Sequence, residues 1–243
     1  MDAYKEVFSV GTKFDKQRRF YDHPLGEGSH FNMVDLKSSK ARRDMFAPFL
    51  SKAAVTRGDP LIQATIMKFI DILREYSKDN RVLDLTRGYH SLTTELILKY
   101  GWQRESKFII GLTLKFPTLA KWNAMSTAVF DLRTQAKDLV LDVMNRPNSP
   151  GQKHPTIFDL VLQPDAKTGQ PPLSLNDLTT ETLIFITGGE ESTANTLIHG
   201  TFHVLSNPQI KSRLQEELSG AIPDGHPMPT ADTLEKLPYL VRK

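Results

Sequence analysis

One long helix sets the scale of this chain. Between Ser174 and Pro208 a buried apolar run, Leu183-Ile184-Phe185-Ile186, is interrupted by Thr187-Gly188-Gly189-Glu190-Glu191-Ser192-Thr193. Helical spacing then resumes through Leu197, Ile198, Phe202 and Leu205. Ser174, with Asp177 three residues on, supplies an N-cap signature, and Pro208 after Asn207 cannot continue the ladder. About thirty residues rising 1.5 Å each span roughly 45 Å, enough to cross a whole globular domain.

The interruption carries the chemistry. Each glycine inside a helix costs about 1 kcal/mol relative to alanine. Gly188 and Ser192 are four residues apart and share a face, with Glu191 beside it. Bare backbone at the glycines lets a bulky group lie against the helix, and a serine hydroxyl that bonds back to the carbonyl of residue 188 loosens the turn. A carboxylate and a hydroxyl at a loosened turn form a proton-delivery pair. The plain alternative is a chance Gly-Gly pair followed by solvated glutamates.

Composition removes several function classes. With 243 residues, 39% hydrophobic and 24% charged, the chain is long enough for one large or two small domains with a real core. The net charge is +3, and the basic residues are dispersed (Arg18-Arg19, Lys37, Lys40, Arg42-Arg43, Lys52), which argues against a nucleic-acid interface. No apolar run approaches the roughly 20 residues that span a bilayer, and charges throughout the first turns of the sequence leave no signal peptide or membrane anchor in it. The cysteine count is 0, so disulfides, thiolate nucleophiles and thiolate metal sites within this chain are excluded.

Read in order, residues 2–9 form a short helix with Tyr4, Val7 and Phe8 on one side, and residues 10–36 are loop-like. Gly26-Glu27-Gly28 is no phosphate loop, because no Lys-Ser or Lys-Thr follows it. Helices are expected over 37–51, over 57–79 with Leu61, Ile62, Ile66, Phe69, Ile70 and Leu73 inward, and over 86–100 with Gly101 ending it. A further helix runs through Met125, Val129, Leu132, Ala136, Leu139 and Val143. Residues 145–154 form a loop, Phe158–Leu162 a short helix, and residues 165–172 a turn-rich connector. Asn207-Pro208 opens a helix through Leu214 and Leu218. No repeats or low-complexity tracts occur, and one continuous helical body is expected.

Other catalytic constellations lack support. His199 and His203 are four apart on one face, but the metalloprotease order His-Glu-x-x-His is missing, and they read as ordinary helix histidines. No Gly-x-Ser-x-Gly occurs for a serine hydrolase, and Asp22-His23-Pro24 reads as a turn.

Gly188-Gly189-Glu190-Glu191-Ser192 inside a long apolar helix resembles the oxygen-activating segment of the cytochrome P-450 family, the heme-thiolate monooxygenases. Three further segments agree in order: Arg42-Arg43 followed by Pro48-Phe49 and Ser51, the Asn207-Pro208 helix, and Leu234-Glu235-Lys236-Leu237-Pro238-Tyr239-Leu240. The style is similar to fungal members that oxidise secondary metabolites, including sesquiterpenoid mycotoxin precursors. The resemblance implies a mainly α, truncated cytochrome P-450 fold over residues 1–243 as a single partial domain, from the family's second helix to the start of its Glu-x-x-Arg helix. It implies heme as cofactor, with Arg43 holding a propionate, Gly188 and Gly189 admitting the heme face, and Glu191 with Ser192 delivering protons. A guanidinium matches a carboxylate bidentately, which suits Arg43 to that role. Residues 107–145 correspond to the lid over the substrate pocket. A lipophilic small-molecule substrate and an NADPH-cytochrome reductase are the implied partners, and the endoplasmic-reticulum membrane the implied location.

The resemblance also sets an expectation of inactivity. Family chemistry needs a heme iron held by a cysteine thiolate, and neither a cysteine nor a Glu-x-x-Arg pair occurs here. The chain is therefore expected to be a truncated monooxygenase that does not bind heme or turn over substrate. Without an anchor it is expected in the cytoplasm. The alternative is a non-catalytic helical module that binds a lipophilic ligand or a protein partner.

Overall fold

The computed structural model describes residues 2–8, 14–21, 27–102, 125–145, 157–158, 161–162, 171–222 and 228–241. Among them every regular element is a helix: α1 (Asp2–Phe8), α2 (Arg18–Tyr21), α3 (Leu36–Leu50), α4 (Lys52–Lys78), α5 (Leu85–Trp102), α6 (Met125–Asn145), α7 (Leu175–Ser206), α8 (Pro208–Ala221) and α9 (Ala231–Leu234). The loop expected over 145–154, the connector over 165–172, the Asp22-His23-Pro24 turn and much of the segment matched to the lid lie largely or wholly outside the described residues. So does the middle of the expected short helix after Ile157; its ends form a turn, with the amides of Val161 and Leu162 donating to the Phe158 carbonyl.

The helices divide into two compact units, residues 1–51 with 123–187 and residues 52–122 with 188–243. In the first unit, Asp35 caps α3 by accepting from the Ser38 amide at 2.6 Å. The Ser38 bonds hold the Asp35 carboxyl below its ordinary range. Phe46 and Phe49 of α3, Ala136, Leu139, Val140 and Val143 of α6, Ile157, Phe158, Val161, and Leu178, Leu183 and Ile186 of α7 are buried. Phe46 meets Phe185 edge-on at 5.0 Å between ring centres. Ser174 caps α7, its hydroxyl accepting from the Asp177 amide at 3.1 Å and donating back to the carboxylate at 2.8 Å.

In the second unit α4 packs against α5. Ala54, Phe69, Leu92, Trp102 and Ala194 are buried there. Gly58 lets the two helices close: a Cβ on it would lie 2.6 Å from Cε2 of Tyr100. Asn207 caps α8 by accepting from the amides of Gln209 and Ile210 at 3.1 and 3.2 Å, and Pro208 fills the first helical position. Glu217 of α8 then accepts from the amides of Tyr239 and Leu240 at 2.7 and 2.8 Å, tying down the Leu-Pro-Tyr-Leu segment. At the far end of α7, Phe202 and Leu205 follow the apolar period but are exposed.

Candidate functional site

A helix that carries hydroxyls through a protein interior has to place them, and α7 turns most of its own onto its backbone; the buried Thr182 Oγ1 is the exception, with no hydrogen-bond partner among the described residues. Thr179 donates to the Leu175 carbonyl at 2.7 Å, Thr180 to Asn176 at 3.0 Å, and Thr187 to Leu183 at 2.8 Å. Ser192 donates to Gly188 at 2.6 Å and Thr196 to Ser192 at 2.8 Å. Each is a bond one turn back, the kind that loosens a helix locally. The bond expected of Ser192 is therefore present.

The two glycines of the interruption face different surroundings. A Cβ at Gly188 would meet nothing within 4 Å. One at Gly189 would lie 3.0 Å from Cδ1 of Ile97 on α5, so the second glycine makes room for an isoleucine. Glu191 and Ser192 are exposed, and Glu191 accepts from the Asn195 amide group at 2.8 Å. Glu190 turns to α5, where its carboxylate meets Nδ1 of His90 at 2.5 Å. One turn along α5, Thr93, Leu96, Ile97 and Tyr100 join Val55 and Ile62 of α4 around an apolar cavity of about 210 Å³ in the second unit. Burial there pushes the Tyr100 phenol above its ordinary range, with Arg57 opposing.

Arg43 stands exposed on α3 in the first unit, whereas Gly188, Gly189, Glu191 and Ser192 share one turn of α7 in the second. Its neighbour Arg42 turns inward, 3.7 Å from the Asp177 carboxylate and 3.8 Å from that of Glu181. Glu181 is fully buried; it accepts the His30 amide at 2.8 Å and meets the His30 ring at 2.5 Å. Lys16 donates to the carbonyls of His30 and Phe31 at 2.9 and 2.8 Å and to Ser39 at 3.0 Å. Burial holds the Lys16 ammonium below its ordinary range, and the Arg43 charge adds to that.

Sequence reading passed over this cluster. One signal for it existed: Glu181 falls between Leu178 and Phe185 at helical spacing, a carboxylate on an apolar stripe.

Residues 105–242 match the family described as Cytochrome P-450. Among curated relatives, the cytochrome P-450 monooxygenase flvC of Aspergillus flavus is 25% identical over an alignment that takes in 99% of this chain and 50% of that protein. The fusicoccadiene C-8 hydroxylase of Alternaria brassicicola is 26% identical, over 89% of this chain and 50% of its own. The crystal structure of a cytochrome P-450 superposes with a TM-score of 0.72 at 17% identity, covering 91% of this chain and 55% of that one, a likeness of fold. The chain spans about half the length of the curated relatives it matches. The mainly α fold expected from the sequence is borne out.

Proposed function

The chain belongs to the cytochrome P-450 family, and we propose on that premise that it forms the oxygen-side portion of a fungal monooxygenase acting on a lipophilic secondary metabolite, without turning over substrate as a 243-residue polypeptide. The whole is read as part of one family domain, with an NADPH-cytochrome reductase as the partner of the complete enzyme. No helix among the described residues is long and apolar enough to cross a membrane.

The observation that carries the proposal is the donor set. A heme of this family is held through an axial cysteine thiolate, which favours O–O cleavage. None of the 243 residues is cysteine, so the residues present do not fit the axial position. What the chain does supply is a bare helix face at Gly188, with the Glu191 carboxylate three residues on and the Ser192 hydroxyl four residues on. Arg43, exposed and unlike Arg42 not drawn into the buried cluster, is suited to an anionic group such as a propionate.

Heme titration of the purified chain, followed by the ferrous-carbonyl spectrum, tests this. The expected result is a histidine-type band or no specific binding. A thiolate-type band would show that the iron takes its ligand from another polypeptide and would overturn the inactive reading.

One observation favours a second reading, a non-catalytic module for a lipophilic ligand: the apolar cavity bordered by Val55, Ile62, Leu96 and Ile97. Thermal stabilisation by a sesquiterpene alcohol, abolished by a cavity-filling Ile97→Trp, would support it; no stabilisation would remove it.

A further inference from the structure

We propose that His90, Glu190 and Glu191 form a binding site for a first-row divalent cation, with zinc as the best-matched ion. The three side chains come from two helices of the second unit, α5 and α7, and their donor atoms all lie within 4.8 Å of one another. Neighbouring helix positions diverge by about 100°, yet one carboxylate oxygen of each glutamate lies within 4.8 Å of a ring nitrogen of His90.

The charge of the group points the same way. Glu190 meets the His90 ring and Glu191 accepts only from the neutral Asn195 amide, and among the described residues no lysine or arginine pairs with either carboxylate. Glu190 and His90 keep only 23% and 30% of their side-chain surface, so water screens them incompletely. A bound cation would balance carboxylate charge that no lysine or arginine among the described residues offsets.

The donor set selects the ion. One imidazole nitrogen with two carboxylate oxygens suits zinc and its first-row neighbours, and three protein donors leave a fourth position for water. No sulfur is present to favour copper(I), and calcium asks for six or more oxygens. Access is open on the Glu191 side. Gly188 lies three residues before it on the same face, and a Cβ there would meet nothing within 4 Å.

Occupancy would engage the carboxylate beside Ser192 and so compete with proton delivery. That consequence rests on the function proposed above; the binding does not.

The test is calorimetric titration of the 243-residue protein with zinc chloride in a non-chelating buffer. His199 and His203, both exposed on α7 and four residues apart, are the rival donors and are removed together in a control variant. One zinc per chain is expected, weakened at least about tenfold by His90→Ala and by Glu191→Gln and unchanged by His199→Ala with His203→Ala, since even outer partners of a metal site cost about 10–100-fold. Because Glu191 is exposed, Glu191→Gln keeps the fold, which far-UV circular dichroism verifies. An absence of zinc binding, an affinity unmoved by Glu191→Gln, or loss with the double histidine variant would each overturn the proposal.

Discussion

Replacing Glu181 with alanine should be among the most damaging single changes in the first unit. The side chain is 1% exposed, and its loss removes both bonds to His30, at 2.8 Å to the amide and 2.5 Å to the ring. Arg42, itself 14% exposed, is left with Asp177 at 3.7 Å, and its Nη1 already has no hydrogen-bond partner among the described residues. Breaking a buried pair by removing one member costs about 3–5 kcal/mol, and an orphaned buried donor about 1–3 kcal/mol. These overlap, so the expected loss is about 4 kcal/mol. Urea unfolding followed by far-UV circular dichroism reads this directly. With a slope of about 2 kcal/mol per molar, the midpoint should fall by about 2 M. Glu181→Gln keeps the volume and an oxygen for the His30 amide and should fall about half as far. A midpoint within about 0.5 M of the unaltered protein, or a glutamine variant as damaged as the alanine one, would refute the reasoning.

Two glycines should respond oppositely to alanine. At Gly58 the new Cβ would lie 2.6 and 2.9 Å from the Tyr100 ring, an overpacking cost of about 1–3 kcal/mol, and Tm should drop by about 3–8 °C. At exposed Gly200, where a Cβ meets nothing within 4 Å, helix propensity should raise Tm by about 1–4 °C. Tyr100 should also give stability an alkaline slope. Its folded pKa lies above the unfolded value, so its contribution is intact below about pH 10 and is lost as pH rises from there through the folded pKa. Urea midpoints measured from pH 9 upward should fall less steeply in Tyr100→Phe, while an unchanged slope would exclude burial as the cause.

Most helices could be read from periodicity because each has one apolar stripe, and Ser174 and Asn207 announced their ends chemically. The misreadings have packing reasons. The helix expected over 57–79 begins earlier: α4 runs from Lys52 and passes through Gly58-Asp59-Pro60, and the Tyr100 ring lies against the bare backbone at Gly58. Gly101 was expected to end α5, yet the helix continues to Trp102, whose complete burial outweighs the roughly 1 kcal/mol cost of a glycine. Helix α2 is too short for any period to register. The Gly-Gly-x-Glu-Ser turn was legible because its residues are contiguous. The pairing of His90 with Glu190 spans 100 positions and that of His30 with Glu181 spans 151, and no local pattern encodes such distances.

The back-bond of Ser192 also fixes the direction in which that hydroxyl presents itself. A serine has one proton to donate and two lone pairs, and here the proton is given to the Gly188 carbonyl at 2.6 Å. Any incoming group therefore meets Ser192 as a base-like oxygen and must bring its own hydrogen. To send a proton outward the O–H has to swing about the Cβ–Oγ bond, giving up its bond to the Gly188 carbonyl and freeing one lone pair of that oxygen. Freeing the Ser192 proton and opening a backbone acceptor at Gly188 are thus one event.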